Sequence, residues 1–94
     1  MSKRDEYIAK MKLQLDELDA KMDQLEAKAA VAKEDIRTKY REEIAKLRAQ
    51  SKLAKGKLQE VKAAGEDTWD VVVKEMEKVR DAVIHSYNYF KSQL

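Results

Sequence analysis

Apolar side chains recur along this chain in alternating steps of three and four residues, and no other feature of the sequence limits its fold as much. Because an α-helix has 3.6 residues per turn, such spacing places these side chains on one face of a helix. Over the first four heptads the pattern has no fault, and its positions are Ile8, Met11, Leu15, Leu18, Met22, Leu25, Ala29, Ala32 and Ile36. We call these nine residues the N-terminal seam, and they predict a coiled coil.

Beyond Ile36 the apolar steps change but do not stop. The next steps of four, four and three residues form an eleven-residue unit, which locally unwinds a left-handed supercoil. The same face then continues through Tyr40, Ile44, Leu47, Ser51, Ala54, Leu58 and Val61. We therefore predict one long amphipathic helix with a heptad and hendecad seam over about residues 3–63, within a unit that spans residues 1–65.

The residues between these apolar positions are typical of an exposed helix surface. Charged residues make up 40% of the chain, proline is absent, and the only glycines are Gly56 and Gly65. Acid-then-base pairs four residues apart, such as Glu6 with Lys10, stabilise a helix in water. The sequence therefore predicts an all-α fold. Its net charge of +2 gives no general attraction to nucleic acid or to anionic membranes.

Residues 63–70 carry signals for the end of one helix and the start of another. Gly65 can take the left-handed conformation that ends a helix, and Asp67 or Thr68 can cap the next one. The alternative is a continuous helix in which Gly65 costs about 1 kcal/mol relative to alanine. If the chain breaks here, residues 66–94 form a shorter helix that folds back as a hairpin on the second half of the long one.

The C-terminal helix has a wide apolar face that is rich in aromatic residues. This face consists of Trp69, Val72, Met76, Val79, Val83 and Phe90. One interpretation is a helix that packs on two neighbouring helices. The other is an amphipathic helix, residues 69–94, that binds a lipid surface or an unfolded protein. Acids on its polar face, such as Glu75 and Asp81, disfavour the membrane version, because interfacial helices prefer lysine and arginine there.

A single amphipathic helix cannot bury its own apolar stripe, so this chain needs a packing partner. If the C-terminal helix covers only the second half of the long helix, the N-terminal seam is left for another chain. We therefore predict a homo-oligomer, either a dimer or a tetramer, that assembles through this seam. The core positions mix Ile, Leu, Met and Ala, so the oligomer number and the strand orientation stay open.

No residue pattern in the chain indicates catalysis. Cysteine is absent, and two isolated glycines cannot form a nucleotide-binding loop. The single histidine, His85, follows Asp81 by four residues, but two ligands are too few to hold a metal ion. Residues 46–57 hold five basic residues and no acid, yet no aromatic side chain lies among them, so nucleic-acid binding is not favoured. We predict a non-enzymatic protein with no small-molecule substrate, metal or cofactor.

The sequence also predicts a cytoplasmic location. Its first residues lack the apolar run of a secretory signal. Its longest apolar stretches are too short to span a bilayer.

Three stretches of the chain resemble a known protein family. They are the opening Met-Ser-Lys-Arg-Asp-Glu-Tyr-Ile-Ala-Lys-Met-Lys, the pair Leu15 and Leu18, and Ala-Ala-Gly-Glu-Asp-Thr-Trp-Asp at 63–70. Together they are similar to short coiled-coil proteins of cyanobacteria and proteobacteria that are named for stress response. From the coiled-coil pattern we expect a structural or interaction role, and the resemblance implies that this role belongs to the bacterial stress response. The family has no established biochemical activity and no assigned catalytic residues. This chain has Val79 and Arg80 where many members carry a second tryptophan.

Overall fold

The computed structural model describes residues 3–93, and over this range the chain forms three α-helices and no strand. Helix α1 spans Lys3–Ala30, α2 spans Glu34–Ala63 and α3 spans Trp69–Gln93. The predicted all-α fold class is thereby confirmed. The helices run up, down and up in a bundle that measures 51 × 21 × 18 Å. No segment of residues 3–93 has the length and hydropathy of a transmembrane helix.

The prediction of one long helix over residues 3–63 is wrong, because the chain turns at residues 31–33. Val31 and Ala32 donate their backbone N–H groups to carbonyls three residues earlier, which ends α1. Lys33 then adopts an extended conformation, with φ −60° and ψ 150°, and α2 begins at the next residue. The Arg37 guanidinium donates to the Ala32 carbonyl oxygen from two nitrogens, at 3.4 and 3.2 Å, and so holds the turn.

Helical periodicity alone does not explain this turn, which has a separate energetic cause. In one straight helix, the apolar stripes of α1 and α2 would both need a second chain, whereas the turn packs them against each other. Burying one large apolar side chain contributes about 1.5–3 kcal/mol, while a helical hydrogen bond contributes only about 1 kcal/mol. Glu34 and Asp35 lie in the first turn of α2, where they suit the positive end of the helix dipole.

The second break lies between Ala63 and Trp69, in the segment that contains Gly65, Asp67 and Thr68. Thr68 directly precedes α3, and its carbonyl accepts the first helical hydrogen bond, from Val72 at 3.0 Å. The Thr68 hydroxyl donates to the Gly65 carbonyl at 3.4 Å, and Asp67 is exposed.

Gly65 does not adopt the backbone conformation that the sequence predicted for it. The left-handed conformation expected at this residue is absent, since no described glycine has a positive φ. The link consists instead of extended backbone at Ala64, with φ −66° and ψ 138°, followed by a turn in which the Thr68 N–H donates to the Gly65 carbonyl at 3.2 Å. A Cβ atom added at Gly65 would meet nothing within 4 Å.

The core consists almost entirely of positions on the predicted apolar face. In α2 the buried residues are Ile44, Leu47, Ser51, Ala54, Leu58 and Val61. Helix α3 contributes Met76, Val83, Tyr87 and Phe90. Tyr40, near the start of α2, is half-buried, and its ring meets the edge of Phe90 at 5.5 Å between centroids. The seam spacing therefore identified the side chains of the core, although not the chain that covers them.

Candidate functional site

Most of the N-terminal seam is buried within the bundle of the chain itself. Six of its nine residues are buried in the bundle core, namely Met11, Leu15, Leu18, Met22, Leu25 and Ala29. Ile8 and Ala32 are half-buried, and Ile36 is 40% exposed. Helices α2 and α3 thus cover most of the surface that was expected to need another chain, and the uncovered part lies around the 31–33 turn.

Ion pairs between α1 and α2 define how the two helices are aligned. Arg48 of α2 pairs with both Asp23 (2.5 Å) and Glu26 (2.8 Å) of α1. Hydrogen bonds to these two carboxylates raise the pKa of Arg48. Asp19 of α1 lies opposite Ser51 and Lys55. In this antiparallel alignment, residue n of α1 stands beside residue 72 − n of α2, to within about two positions.

Asp19 is the most strongly held acid in this interface. Its carboxylate accepts a hydrogen bond from the Ser51 hydroxyl at 2.8 Å and pairs with the Lys55 ammonium. Burial by itself would raise the pKa of Asp19, but the hydrogen bonds from Lys55 and Ser51 outweigh it and lower the pKa. Because Ser51 is only 3% exposed, this contact ties a buried polar group to α1.

The alignment leaves the first two turns of α2 without α1 beside them. Helix α1 ends at Ala30, which stands opposite about residue 42 in this alignment. Residues 34–41 therefore extend past the end of α1. At this end Val31 is 87% exposed and Ile36 is 40% exposed. We call Val31 and Ile36 the turn surface.

Other large apolar side chains are exposed on the outer faces of the helices. They are Leu13, Leu53, Val71 and Tyr89. Val71 and Tyr89 are separated by about 27 Å along α3, at 1.5 Å per residue. Leu13 and Leu53 each lie on a different helix. These side chains form no continuous stripe, and single exposed apolar residues are normal on a protein surface.

The predicted C-terminal apolar face points into the bundle. Met76, Val83 and Phe90 are buried, with exposed fractions of at most 6%. The remaining members are partly buried and pack against the core, namely Trp69, Val72 and Val79. A lipid surface or an unfolded protein could reach this face only after α3 had left the other two helices.

At the opposite end of the bundle, Trp69 links α3 to the start of α1. The Tyr7 ring meets the Trp69 ring edge-on, with centroids 5.8 Å apart. The Arg4 guanidinium lies 4.7 Å from the centre of the Trp69 ring, and it also donates to the Val61 carbonyl at 3.4 Å. The pKa of Tyr7 is raised by burial and by the negative charge of Glu77. The apolar periodicity did not point to Tyr7, although Met11 follows it by one helical turn.

The basic stretch at residues 46–57 is mostly neutralised by acids of the same chain. Arg48 and Lys55 pair with the α1 carboxylates. Lys57 pairs with Glu60 and with Glu75 of α3, both at 3.0 Å, and these contacts raise the pKa of Lys57. Lys46 lies 3.4 Å from Glu43. A phosphate backbone would have to compete with these carboxylates for most of the basic side chains.

The side chains that could bind a metal ion lie apart from one another among the described residues. Across residues 3–93, no three His, Cys, Asp or Glu side chains are grouped as metal ligands would be. His85 is exposed, and the Asp81 carboxylate accepts hydrogen bonds from Arg80 at 2.9 and 3.1 Å. The shifted pKa values belong to ion pairs and to Tyr7, which are surface or packing contacts.

Comparison with known proteins adds no further assignment, since no protein-family model, curated protein or solved structure matches this chain.

Proposed function

We propose that this chain is a non-catalytic helical protein that self-associates and serves a structural or interaction role in the bacterial cytoplasm. The observation that carries the proposal is the turn surface, where Val31 and Ile36 are exposed at the end of a seam whose other members are buried or half-buried. Its place in stress response rests on the family resemblance.

The exposed part of Ile36 supplies an energetic reason for association. This side chain continues the N-terminal seam, yet the bundle leaves 40% of it in water. Complete burial of an isoleucine contributes about 1.5–3 kcal/mol, so covering the exposed part contributes roughly 1 kcal/mol per chain. Val31, at 87% exposed, offers more. Association at this end therefore recovers apolar burial that the single chain does not reach.

Light scattering on the purified protein tests the proposal. We expect a mass that is a multiple of the single chain at micromolar concentration. Ile36→Lys should raise the dissociation constant by about tenfold or more, because a lysine at this position loses the apolar gain and must keep its charge hydrated. Leu53→Lys is the matched control, because Leu53 is also an exposed apolar residue of α2 but lies away from the turn. A wild-type protein that remains a folded monomer would refute self-association.

The alternative is binding of lipid surfaces or unfolded proteins through residues 69–94. It has less support, because the apolar face of α3 is packed in the core and must be released before it can bind. Flotation with anionic phospholipid vesicles separates the two functions. Wild-type protein that floats with the vesicles, with α3 becoming accessible to protease, would favour this alternative over self-association.

A further inference from the structure

We propose that two copies of this chain associate by exchanging α1, with the 31–33 turn straightening into helix. Helices α1 and α2 then form one continuous helix over residues 3–63. The α1 segment of each copy packs on α2 and α3 of the other copy. This inference rests on the proposed self-association and specifies its partner, a second copy, and the part of the turn surface that the partner covers, Ile36. Val31 lies outside the seam steps and stays exposed in the exchanged dimer.

The turn is made of residues that can join a helix without strain. Residues 31–33 are Val, Ala and Lys, and none is glycine or proline. The described residues include no positive φ, so no position in the turn is committed to a conformation that a helix excludes. Lys33 precedes α2 but makes no side-chain cap hydrogen bond. A helix N-terminus that lacks a capping side chain loses little stability when it becomes part of a longer helix.

A continuous helix would also keep the buried faces of α1 and α2 on one side. The last buried residue of α1 is Ala29, and the first of α2 is Ile44. Between them, Ala32, Ile36 and Tyr40 continue in steps of three or four residues. Such steps keep successive side chains on the same helical face. One straight helix can therefore present its whole seam to one antiparallel neighbour.

The alignment of α1 with α2 identifies a second copy as that neighbour. If the pairing of residue n with residue 72 − n is continued past the end of α1, it brings residue 36, to within about one position, opposite its own number. Within one closed chain α1 ends before this point, and Ile36 is left 40% exposed. In an antiparallel pair of long helices this point becomes the two-fold axis, where Ile36 meets Ile36 of the second copy. Ala32 then lies beside Tyr40 of the second copy.

Helix exchange keeps the interactions that hold the closed chain together. The pairs of Arg48 with Asp23 and Glu26, and of Asp19 with Ser51 and Lys55, re-form between the two copies in the same geometry. Only the turn itself is lost, including the hydrogen bonds from Arg37 to the Ala32 carbonyl. Exchange of identical elements is a low-cost route to a dimer for this reason. The exchanged dimer is two bundles in line, about 100 Å long from two lengths of 51 Å.

Cysteine pairing between Asp19 and Ser51 tests the exchange directly. The side-chain oxygens of these residues are 2.8 Å apart, and the chain has no cysteine of its own. One preparation carries only Asp19→Cys, a second carries only Ser51→Cys, and the two are unfolded, mixed and refolded before mild oxidation. We expect a covalent heterodimer on a non-reducing gel, because exchange places residue 19 of one copy beside residue 51 of the other.

Each single variant alone is the control. In the exchanged dimer, equivalent residues 19 lie about 50 Å apart across the two-fold axis, and equivalent residues 51 about 45 Å apart, at 1.5 Å per residue. Neither preparation should crosslink by itself. The double variant Asp19→Cys with Ser51→Cys verifies that the bond forms at all. It gives a covalent dimer if the helices are exchanged and an oxidised monomer if they are not.

The outcomes separate this inference from the proposed function. A wild-type protein that is monomeric by light scattering refutes the self-association itself. A dimer whose double variant yields only oxidised monomer refutes helix exchange and leaves self-association standing. A covalent heterodimer, together with a particle about 100 Å long by small-angle X-ray scattering, supports the exchange.

A change in the turn supplies a second test that needs no crosslink. Lys33→Asp adds a side-chain cap to α2 that exists only in the closed turn, so it should favour the monomer. With one cap gained per chain, the dimer dissociation constant should rise by about 30-fold. Lys52→Asp makes the same charge change at an exposed position inside α2, where both states are helical, and should leave the constant nearly unchanged. Equal effects of the two variants would contradict a role for the turn.

Discussion

Leu15 and Leu13 provide a direct test of the bundle, because they are neighbours in α1 with opposite environments. Leu15 is 1% exposed and Leu13 is 60% exposed. Leu15→Ala removes three buried carbons. At about 0.8 kcal/mol per carbon plus the cavity left behind, it should lower the free energy of unfolding by about 2–5 kcal/mol. Leu13→Ala should change it by less than about 0.5 kcal/mol, as expected for an exposed helix position.

Thermal unfolding followed by circular dichroism at the helix band measures both effects. For a domain of this size, each kcal/mol shifts the midpoint by about 4–8 °C, so Leu15→Ala should lower it by at least about 8 °C. Since the chain has a total stability of only about 5–15 kcal/mol, the milder variant Leu15→Val keeps the test usable if the alanine variant does not fold. Equal shifts for Leu13 and Leu15 would refute the assignment of α1 faces.

Two further changes test the second link and the α1–α2 interface. Gly65→Ala should stabilise the fold by about 0.4–1 kcal/mol even though the chain turns there. Its φ is not positive and a Cβ would meet no neighbour, so the change mainly restricts the unfolded chain; a loss of stability in urea unfolding would contradict this. Asp19 has a lowered pKa in the folded state. Its contribution is therefore present above the pKa of the unfolded carboxyl, about 3.9, and is lost as the pH falls through the lower folded value. The difference in urea midpoint between wild type and Asp19→Asn should be clear at pH 7 and shrink at pH 3; a difference that does not vary with pH would exclude this linkage.

The sequence by itself determined that the chain is helical and which side chains make up most of its core. Steps of three and four residues place apolar side chains on one face whatever the helix packs against. For this reason the spacing alone assigns Leu15, Leu25, Leu47 and Leu58 to a core. The signal is local, since it depends only on the geometry of the helix.

Whether that face is covered by the same chain or by another is a property of the tertiary structure. The heptads continue through Ala29, Ala32 and Ile36, so periodicity predicts a helix across the 31–33 turn. The turn forms because folding α1 back on α2 buries the apolar stripes of both helices at once. This burial depends on contacts between the two helices, so the spacing along the sequence does not indicate it. The local signal of a glycine at a helix end predicted a left-handed conformation at Gly65, whereas the chain links the helices with extended backbone at Ala64 and a turn closed by Thr68.

The ion pairs that align the helices also belong to the tertiary structure alone. Periodicity indicates that Asp19 and Arg48 lie near the seam, but not which charges meet across it. Only the packed bundle shows that residue 72 − n of α2 stands beside residue n of α1, which leaves residues 34–41 of α2 without α1 beside them. The alignment depends on contacts between residues more than twenty positions apart. The spacing of residues along either helix cannot predict such contacts.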